Sequence, residues 1–188
     1  HQDRKDIGNA LLPKHHKEDA ELIYEVGATT IRLAHYQHAQ YFYDLCDEMG
    51  FVLWAEIPYI SNHMPKGREN TITQMKELLA QNYNHPSIFV WGLSNEITMT
   101  GSSDPDLLEN HNILNDMVHE MDKTRLTTMA CVSMCDMNEE YVHKNLFLLN
   151  VSIEEHLIQV LLQYRFLHLT FAFYPVLSVF LMTQPLAY

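Results

Sequence analysis

Residues 87–96 place an amide and a carboxylic acid directly after an apolar run. They are Ser-Ile-Phe-Val-Trp-Gly-Leu-Ser-Asn-Glu, and the β-branched and aromatic start predicts a buried strand. At the end of such a strand, Glu96 can serve as a general acid or base, and Asn95 can donate a hydrogen bond to a hydroxyl group. Taken alone, Glu96 fits an exposed residue that caps the next turn even better, and Asn95 also fits a turn.

Strand-like and helix-like runs alternate on both sides of this segment. Strands that are apolar throughout are buried on both faces, and their alternation with helices is typical of parallel βα units in a barrel or a doubly wound sheet. No glycine-rich phosphate loop follows a strand, which weighs against a nucleotide-binding sheet. The predicted strands are residues 29–34, 51–55, 87–93 and 125–132, and the predicted helices are residues 17–26, 40–49, 69–83 and 104–121.

Polar side chains also stand at the ends of the two preceding strands. His35 follows the first predicted strand and Glu56 follows the second. Arg32 lies inside the first strand, where an unpaired charge is costly. Polar groups gathered at the carboxyl ends of parallel strands are typical of a barrel active site. The pattern therefore predicts that these side chains meet the amide and the acid of the third strand.

Length and charge narrow the class of protein. The chain has 188 residues, of which 47% are apolar, enough for one globular domain with a real core. The net charge of −12 argues against a nucleic-acid partner and suits a protein that handles a neutral or cationic small molecule. The three cysteines predict no disulfide framework. The chain opens on His1 without a basic and apolar leader, so we expect a piece of a longer protein, with a cytoplasmic location favoured.

Six blocks follow one another along about residues 1–141. They are His-Gln-Asp at 1–3, Ile-Arg-Leu-Ala-His-Tyr at 31–36, Tyr-Asp-Leu-Cys-Asp-Glu-Met-Gly at 43–50, Trp-Ala-Glu-Ile-Pro at 54–58, Asn-His-Pro-Ser-Ile at 84–88 and Trp-Gly-Leu-Ser-Asn-Glu at 91–96. Together they resemble the catalytic barrel of glycoside hydrolase family 2, most closely the bacterial β-galactosidases. The resemblance implies an α/β fold, here a truncated (β/α)8 TIM barrel of about strands 2–5 with their helices, and a retaining mechanism.

The resemblance also implies roles for individual residues. Glu96 is the general acid/base, because a glycosidic oxygen is a poor leaving group until it is protonated. Asn95 donates to the sugar 2-hydroxyl, a contact that strengthens in the transition state. Arg32 points into the barrel and holds the nucleophilic carboxylate ionised. His35 and His1 match substrate-binding histidines of the family, although each alone fits a core or loop histidine.

The strand that ends at Glu56 is expected to line the substrate pocket. Aromatic faces stack on sugar rings and acids accept sugar hydroxyls, so Trp54, Glu56 and Tyr59 are candidates, with core packing an equal alternative for Trp54. Some members of the family carry a magnesium site nearby. Its ligand positions fall on Ile60 and Asn62, which do not suit that site, so we expect neither a metal nor another cofactor.

The resemblance stops after Tyr141. In the family the nucleophile comes from the seventh strand, and neither Glu154 nor Glu155 stands in a matching context, so we expect no nucleophile in this chain and an inactive fragment. We predict two regions: residues 1–141 as the N-terminal half of the barrel domain, and residues 142–188 as an apolar tail outside the family pattern. We hypothesise that a reading-frame shift or a truncation produced this tail, which would then be misfolded.

Half a barrel exposes two sheet edges, and we expect the tail or a second copy of the chain, in a homo-oligomer, to cover them. Residues 166–182 are nearly all apolar, but this run is short and contains Pro175, so we do not expect a membrane span.

The leading prediction is a β-galactosidase-like hydrolase segment whose partner is a β-galactoside or a related carbohydrate. A glucuronidase or mannosidase specificity stays open. Alternatives are a non-catalytic carbohydrate-binding remnant of the barrel, and a membrane-tethered or oligomerising piece that uses residues 166–182.

Overall fold

The computed structural model describes residues 4–97, 104–130 and 178–180, the last three as backbone only. No helix within these ranges is long and apolar enough to cross a membrane. The helices are α1 (Pro13–Glu25), α2 (Gln40–Met49), α3 (Arg68–Asn82) and α4 (Pro105–Met121), with a 3-10 turn at Pro65–Gly67. The strands are β1 (Thr30–Leu33), β2 (Val52–Glu56), β3 (Ile88–Asn95), β4 (Leu126–Ala130) and β5 (Ser178–Phe180).

The five strands form one sheet in the order β4-β3-β2-β1-β5. Strands β1 to β4 are parallel, and β5 pairs with β1 in the antiparallel direction. In the parallel part, Arg32 lies opposite Trp54, and Glu56 lies opposite Gly92. Four parallel strands that alternate with helices confirm the predicted α/β fold and partial barrel.

The helix ends follow the local sequence. Gly50 ends α2 in the left-handed conformation, at a φ of 74°, which costs glycine little because it has no Cβ. At the start of α4, Pro105 occupies the first turn, and the Asp104 side chain accepts a hydrogen bond of 2.9 Å from the Asp106 N–H. Both features match the sequence prediction. α1 begins at Pro13, earlier than predicted. The prediction missed its first turn because those residues are polar and show no apolar periodicity.

The parallel sheet has two different faces. One face packs against the helices in a large core that includes Leu33, Leu53 and Trp91. The other face carries a separate small cluster in which Trp54 and Val90 pack with Leu126 and Ala130. Because side chains alternate along a strand, the residues in register with Trp54 share this second face. The second face is the inner face of the partial barrel, and it holds the candidate site.

Candidate active site

Arg32 and Glu56 form a buried ion pair on the inner face of the partial barrel. The Arg32 Nε donates to Glu56 Oε2 at 2.8 Å, and Nη2 donates to Glu56 Oε1 at 2.9 Å. The two side chains are 3% and 0% exposed. This two-point pairing satisfies both charges where solvent does not reach them. Arg32 therefore has its partner on the neighbouring strand.

The same guanidinium orients Asn95. Arg32 Nη2 also donates to Asn95 Oδ1 at 2.5 Å, across the sheet from β1 to the end of β3. Because the amide oxygen accepts from Arg32, the amide nitrogen of Asn95 is the group that can donate to a ligand hydroxyl. This orientation is what a contact with a sugar hydroxyl requires.

His35 completes the network at its outer side. Its Nδ1 lies 3.0 Å from Glu56 Oε1, and its side chain is 32% exposed. The imidazole thus lies between the fully buried Glu56 carboxylate and solvent at the carboxyl ends of the strands. Both oxygens of Glu56 are engaged, one by Arg32 alone and the other by Arg32 and His35.

Trp54 lies under the guanidinium. The Arg32 Cζ is 4.4 Å from the centre of the Trp54 ring, which is a cation–π distance. Gly92 on the next strand makes room, because a Cβ there would lie 2.3 Å from Trp54 Nε1 and 2.4 Å from Glu56 Cβ. The indole Nε1 is buried and has no hydrogen-bond partner among the described residues. A buried donor of this kind is costly unless a ligand or a water accepts its hydrogen.

Glu96 follows Asn95 in an uncommon backbone conformation. Its φ is 52°, in the left-handed region that non-glycine residues rarely adopt. Its N–H donates to the Ala130 carbonyl at 2.8 Å, which ties it to the end of β4. The side chain is partly exposed. A residue held in this region by its surroundings is often part of a functional site.

The backbone of Asn95 is held by the segment after β2. The Asn95 N–H donates to the Tyr59 carbonyl at 2.8 Å, and the Ser61 N–H donates to the Asn95 carbonyl at 2.9 Å. The end of β3 is therefore fixed between residues 59–61 on one side and the end of β4 on the other.

A second polar group behind this segment was not expected from the sequence. The Tyr59 hydroxyl lies 2.5 Å from His63 Nδ1, and His63 Nε2 lies 2.6 Å from Asp106 Oδ2 in the first turn of α4. Arg68 donates to the other oxygen of Asp106. Burial raises the pKa of Tyr59 to about 12, and the hydrogen bond from His63 lowers the pKa of Asp106. No motif pointed to His63, because Asp106, one of its two partners, lies 43 residues away in sequence.

Nearby, Ser94 and His111 form a fully buried pair, with Ser94 Oγ 2.7 Å from His111 Nε2. His111 Nδ1 lies 3.2 Å from the Leu107 carbonyl, so Nδ1 donates and Nε2 accepts from the serine. Burial lowers the pKa of His111 to about 4, and the ring is neutral at pH 7. Because both side chains are enclosed between β3 and α4, this pair secures the helix to the sheet.

The structure thus brings together most of the predicted site residues. Arg32, His35, Trp54, Glu56 and Asn95 form one contact network, and Glu96 directly follows it. His1, Glu154 and Glu155 lie outside the described residues, as does the predicted tail apart from β5. Within residues 4–97 and 104–130, no group of three or more His, Cys, Asp or Glu side chains could hold a metal ion.

Comparison with known families gives one clear match. The family model described as "Glycosyl hydrolases family 2, TIM barrel domain" matches residues 1–161.

Known proteins agree with this match. The β-glucuronidase of Bacteroides fragilis is 44% identical over 155 residues, which are 78% of this chain and 22% of the relative. A β-galactosidase of Thermoanaerobacterium thermosulfurigenes is 30% identical over 131 residues, 68% of this chain and 17% of the relative. The crystal structure of an FMN-binding β-glucuronidase from Faecalibacterium prausnitzii L2-6 is 52% identical with a TM-score of 0.68, and the similarity covers 72% of this chain and 21% of that one. The chain therefore spans about a fifth of the length of these glucuronidases.

Proposed function

The chain belongs to glycosyl hydrolase family 2, and from this membership we propose that it carries the proton-donating half of a retaining glycosidase active site, with Glu96 as the general acid/base. The observation that carries the proposal is the network that ends at Glu96: the buried Arg32–Glu56 pair holds Asn95, and the next residue is a partly exposed carboxyl group in a constrained conformation.

The geometry fits the chemistry of glycoside cleavage. Glu96 protonates the glycosidic oxygen as the bond to the sugar breaks, and the sugar ring becomes positively charged. Asn95, oriented by Arg32, donates its amide hydrogen to the 2-hydroxyl of that ring. Trp54 and His35 both contact the Arg32–Glu56 pair, and their indole N–H and imidazole are further groups that can bind sugar hydroxyls.

A retaining mechanism also needs a carboxylate nucleophile about 5 Å from the acid/base. Glu56 does not fit this role, because it is fully buried and both of its oxygens accept hydrogen bonds. We propose that this chain lacks the nucleophile and does not hydrolyse glycosides alone.

The relatives favour β-glucuronides as the substrate class over the β-galactosides expected from the sequence. The two glucuronidases are 44% and 52% identical to this chain, whereas the T. thermosulfurigenes galactosidase is 30% identical. Calorimetry of the 188-residue chain with glucuronate and with galactose tests this preference. Tighter binding of galactose would restore the β-galactoside assignment.

A hybrid enzyme tests the role of Glu96. Residues 1–130 of this chain replace the matching segment of the B. fragilis β-glucuronidase, and the hybrid should hydrolyse 4-nitrophenyl β-D-glucuronide. In the hybrid, Glu96→Gln should lower kcat/KM, which reports the step that releases the leaving group, by about 10²–10⁴-fold for a methyl glucuronide and by much less for a 2,4-dinitrophenyl glucuronide, because a good leaving group needs no proton. Glu120→Gln, at an exposed position of α4, is the matched control. An equal loss with both substrates would contradict the assignment.

A second candidate function is carbohydrate binding without turnover. It is favoured by the hydrogen bonds that occupy both oxygens of Glu56, because they leave no free nucleophile there while Asn95 and His35 can still contact a sugar. Binding of a monosaccharide by the 188-residue chain, abolished by Asn95→Ala and with no release of nitrophenol, would support it.

A further inference from the structure

The side chains of Tyr59, His63 and Asp106 form a hydrogen-bonded chain beside the segment that carries Glu96. The Tyr59 hydroxyl lies 2.5 Å from His63 Nδ1, and His63 Nε2 lies 2.6 Å from Asp106 Oδ2. The His63 side chain is only 3% exposed, and both of its ring nitrogens are engaged. A buried imidazole with two partners is held in one orientation, because the loss of either contact leaves a polar atom unpaired.

The hydrogen-bonded side chains of Tyr59, His63 and Asp106 connect three elements of the fold. Tyr59 lies after β2, His63 lies just before the 3-10 turn that leads into α3, and Asp106 lies in the first turn of α4. Arg68, the first residue of α3, anchors the far end by donating to Asp106 and, at 3.0 Å, to Glu109. The Tyr59 ring also packs at 5.5 Å from the ring of His111 on α4.

The backbone of Tyr59 joins this group of hydrogen-bonded side chains to the end of β3. Its carbonyl accepts the N–H of Asn95 at 2.8 Å, and the Ser61 N–H returns a bond of 2.9 Å to the Asn95 carbonyl. Residues 59–61 therefore hold the end of β3 through two backbone hydrogen bonds to Asn95.

We propose that His63 is a positioning residue for Glu96: it fixes Tyr59 against α4, so that residues 59–61 hold Asn95 and keep Glu96 in its left-handed conformation. The inference rests on the proposed role of Glu96 as the acid/base. His63 itself touches no reacting atom. In its neutral form, Nε2–H donates to the Asp106 carboxylate and Nδ1 accepts the hydrogen of the Tyr59 hydroxyl.

The position of Glu96 depends on such support because its φ of 52° is unfavourable for a residue with a Cβ. Such conformations persist only when neighbouring contacts impose them. The N–H of Glu96 is tied to Ala130 on one side. The chain through His63 supplies the restraint on the other side.

Nuclear magnetic resonance on the 188-residue chain tests the proposal without any assay of activity. His63→Leu removes both contacts, and amide hydrogen exchange at Asn95 and Ser61 should become about tenfold faster, as expected for the loss of one hydrogen bond's stabilisation. The three-bond coupling of the Glu96 amide, which reports φ, should move away from its left-handed value. Exchange at Leu53, whose N–H donates to the Ser87 carbonyl just before β3, should not change.

His63→Gln provides the conservative rescue, because its amide keeps one donor and one acceptor and should restore most of the protection at Asn95. His119→Leu is the matched control, because it removes a histidine of α4 that is not part of this hydrogen-bonded group. It should leave the exchange rate of Asn95 and the coupling of Glu96 unchanged. Unchanged exchange and coupling in a folded His63→Leu chain would overturn the proposal. Absence of protection at Asn95 in the unsubstituted chain would overturn it equally.

Tyr59→Phe and Asp106→Ala keep the proposal testable if His63→Leu does not fold. Each breaks the same chain, so the double variant should increase exchange at Asn95 little more than either single variant. Independent, additive effects would show that His63 does not connect the two residues, and would contradict the proposal. Because these measurements report backbone geometry, their failure would leave the leaving-group test of Glu96 intact, and the reverse also holds.

Discussion

Arg32 and Glu56 pair through two hydrogen bonds of 2.8 and 2.9 Å although they are 24 residues apart in sequence. Parallel strands β1 and β2 place both side chains on the inner face of the sheet, and neither is exposed by more than 3%. The pair therefore joins the first two βα units and, through Asn95, the third.

Removing the negative charge of this pair should be strongly destabilising. Glu56→Gln leaves the buried Arg32 without its countercharge, and we expect the free energy of unfolding to fall by about 3–5 kcal/mol. Urea denaturation followed by circular dichroism measures the change. The control is Lys17→Gln, which breaks an exposed pair with Glu21 at 3.8 Å and should have an effect of less than about 1 kcal/mol. Similar losses in both variants would contradict the role assigned to burial.

The absence of a side chain at Gly92 allows Trp54 to lie under Arg32. In Gly92→Ala the new Cβ would lie 2.3 Å from the indole nitrogen, so the indole or the Glu56 side chain must move. We expect a stability loss of about 1–3 kcal/mol and a shift of tryptophan fluorescence. Gly67→Ala is the control, because the nearest atom to its Cβ would be Met64 Cβ at 3.4 Å. If Gly92→Ala keeps both the fluorescence and the stability, the site tolerates the added atom.

Asp122, at the end of α4, contacts β3 through Trp91. Its carboxylate accepts from Trp91 Nε1 at 3.0 Å, from the Thr124 hydroxyl at 2.6 Å and from Arg125 Nη1 at 2.7 Å. Burial raises the pKa of this group, but these hydrogen bonds outweigh burial and lower it below the usual aspartate range.

Because the pKa of Asp122 is lower in the folded state, its contribution to stability is complete above about pH 4 and is lost as the pH falls further. Asp122→Asn should lower the free energy of unfolding at pH 7 by about 1.5–3 kcal/mol and reduce its dependence on pH below pH 4. Urea denaturation between pH 5 and pH 2.5 measures both effects. Asp116→Asn, at an exposed position of α4, should change neither. An unchanged pH slope in Asp122→Asn would refute the linkage.

His111 predicts a second pH dependence, at less acidic values. Burial lowers its pKa to about 4 in the folded chain. The unfolded chain has the ordinary value of about 6.5 and binds the proton first, so stability should fall as the pH drops from about 6.5 to about 4. One such group contributes a slope of up to about 1.4 kcal/mol per pH unit. His111→Gln should reduce the slope by about that amount, whatever its effect on stability at pH 7.

Unfolding curves at pH 7, 6 and 5 would reveal that slope. His38, whose pKa burial also lowers to about 4, should keep its own contribution in the variant. An identical slope in His111→Gln and the unsubstituted chain would contradict the prediction.

Much of this site could be anticipated from local sequence. The apolar run before Asn95 and Glu96 predicted a strand with polar residues at its end, and the structure extends that strand to Asn95 because its backbone continues to pair with Ala130. Gly50 predicted the end of α2, and the family was recognised from short blocks of residues. These features depend on side-chain periodicity and on backbone preferences, which act over a few residues.

The contacts that make the site specific depend on the tertiary structure. The sequence placed Arg32 and Asn95 at strands but could not show that they bind each other, because 63 residues separate them and only the register of three parallel strands brings them together. Nothing in the sequence singled out His63, whose role arises from contacts with Tyr59 and Asp106 on different elements. The sequence by itself therefore determined which elements form and which residues end them, since those choices are local. Only the tertiary structure decided which side chains share a hydrogen bond, because strand register and helix packing set distances that spacing along the chain does not contain.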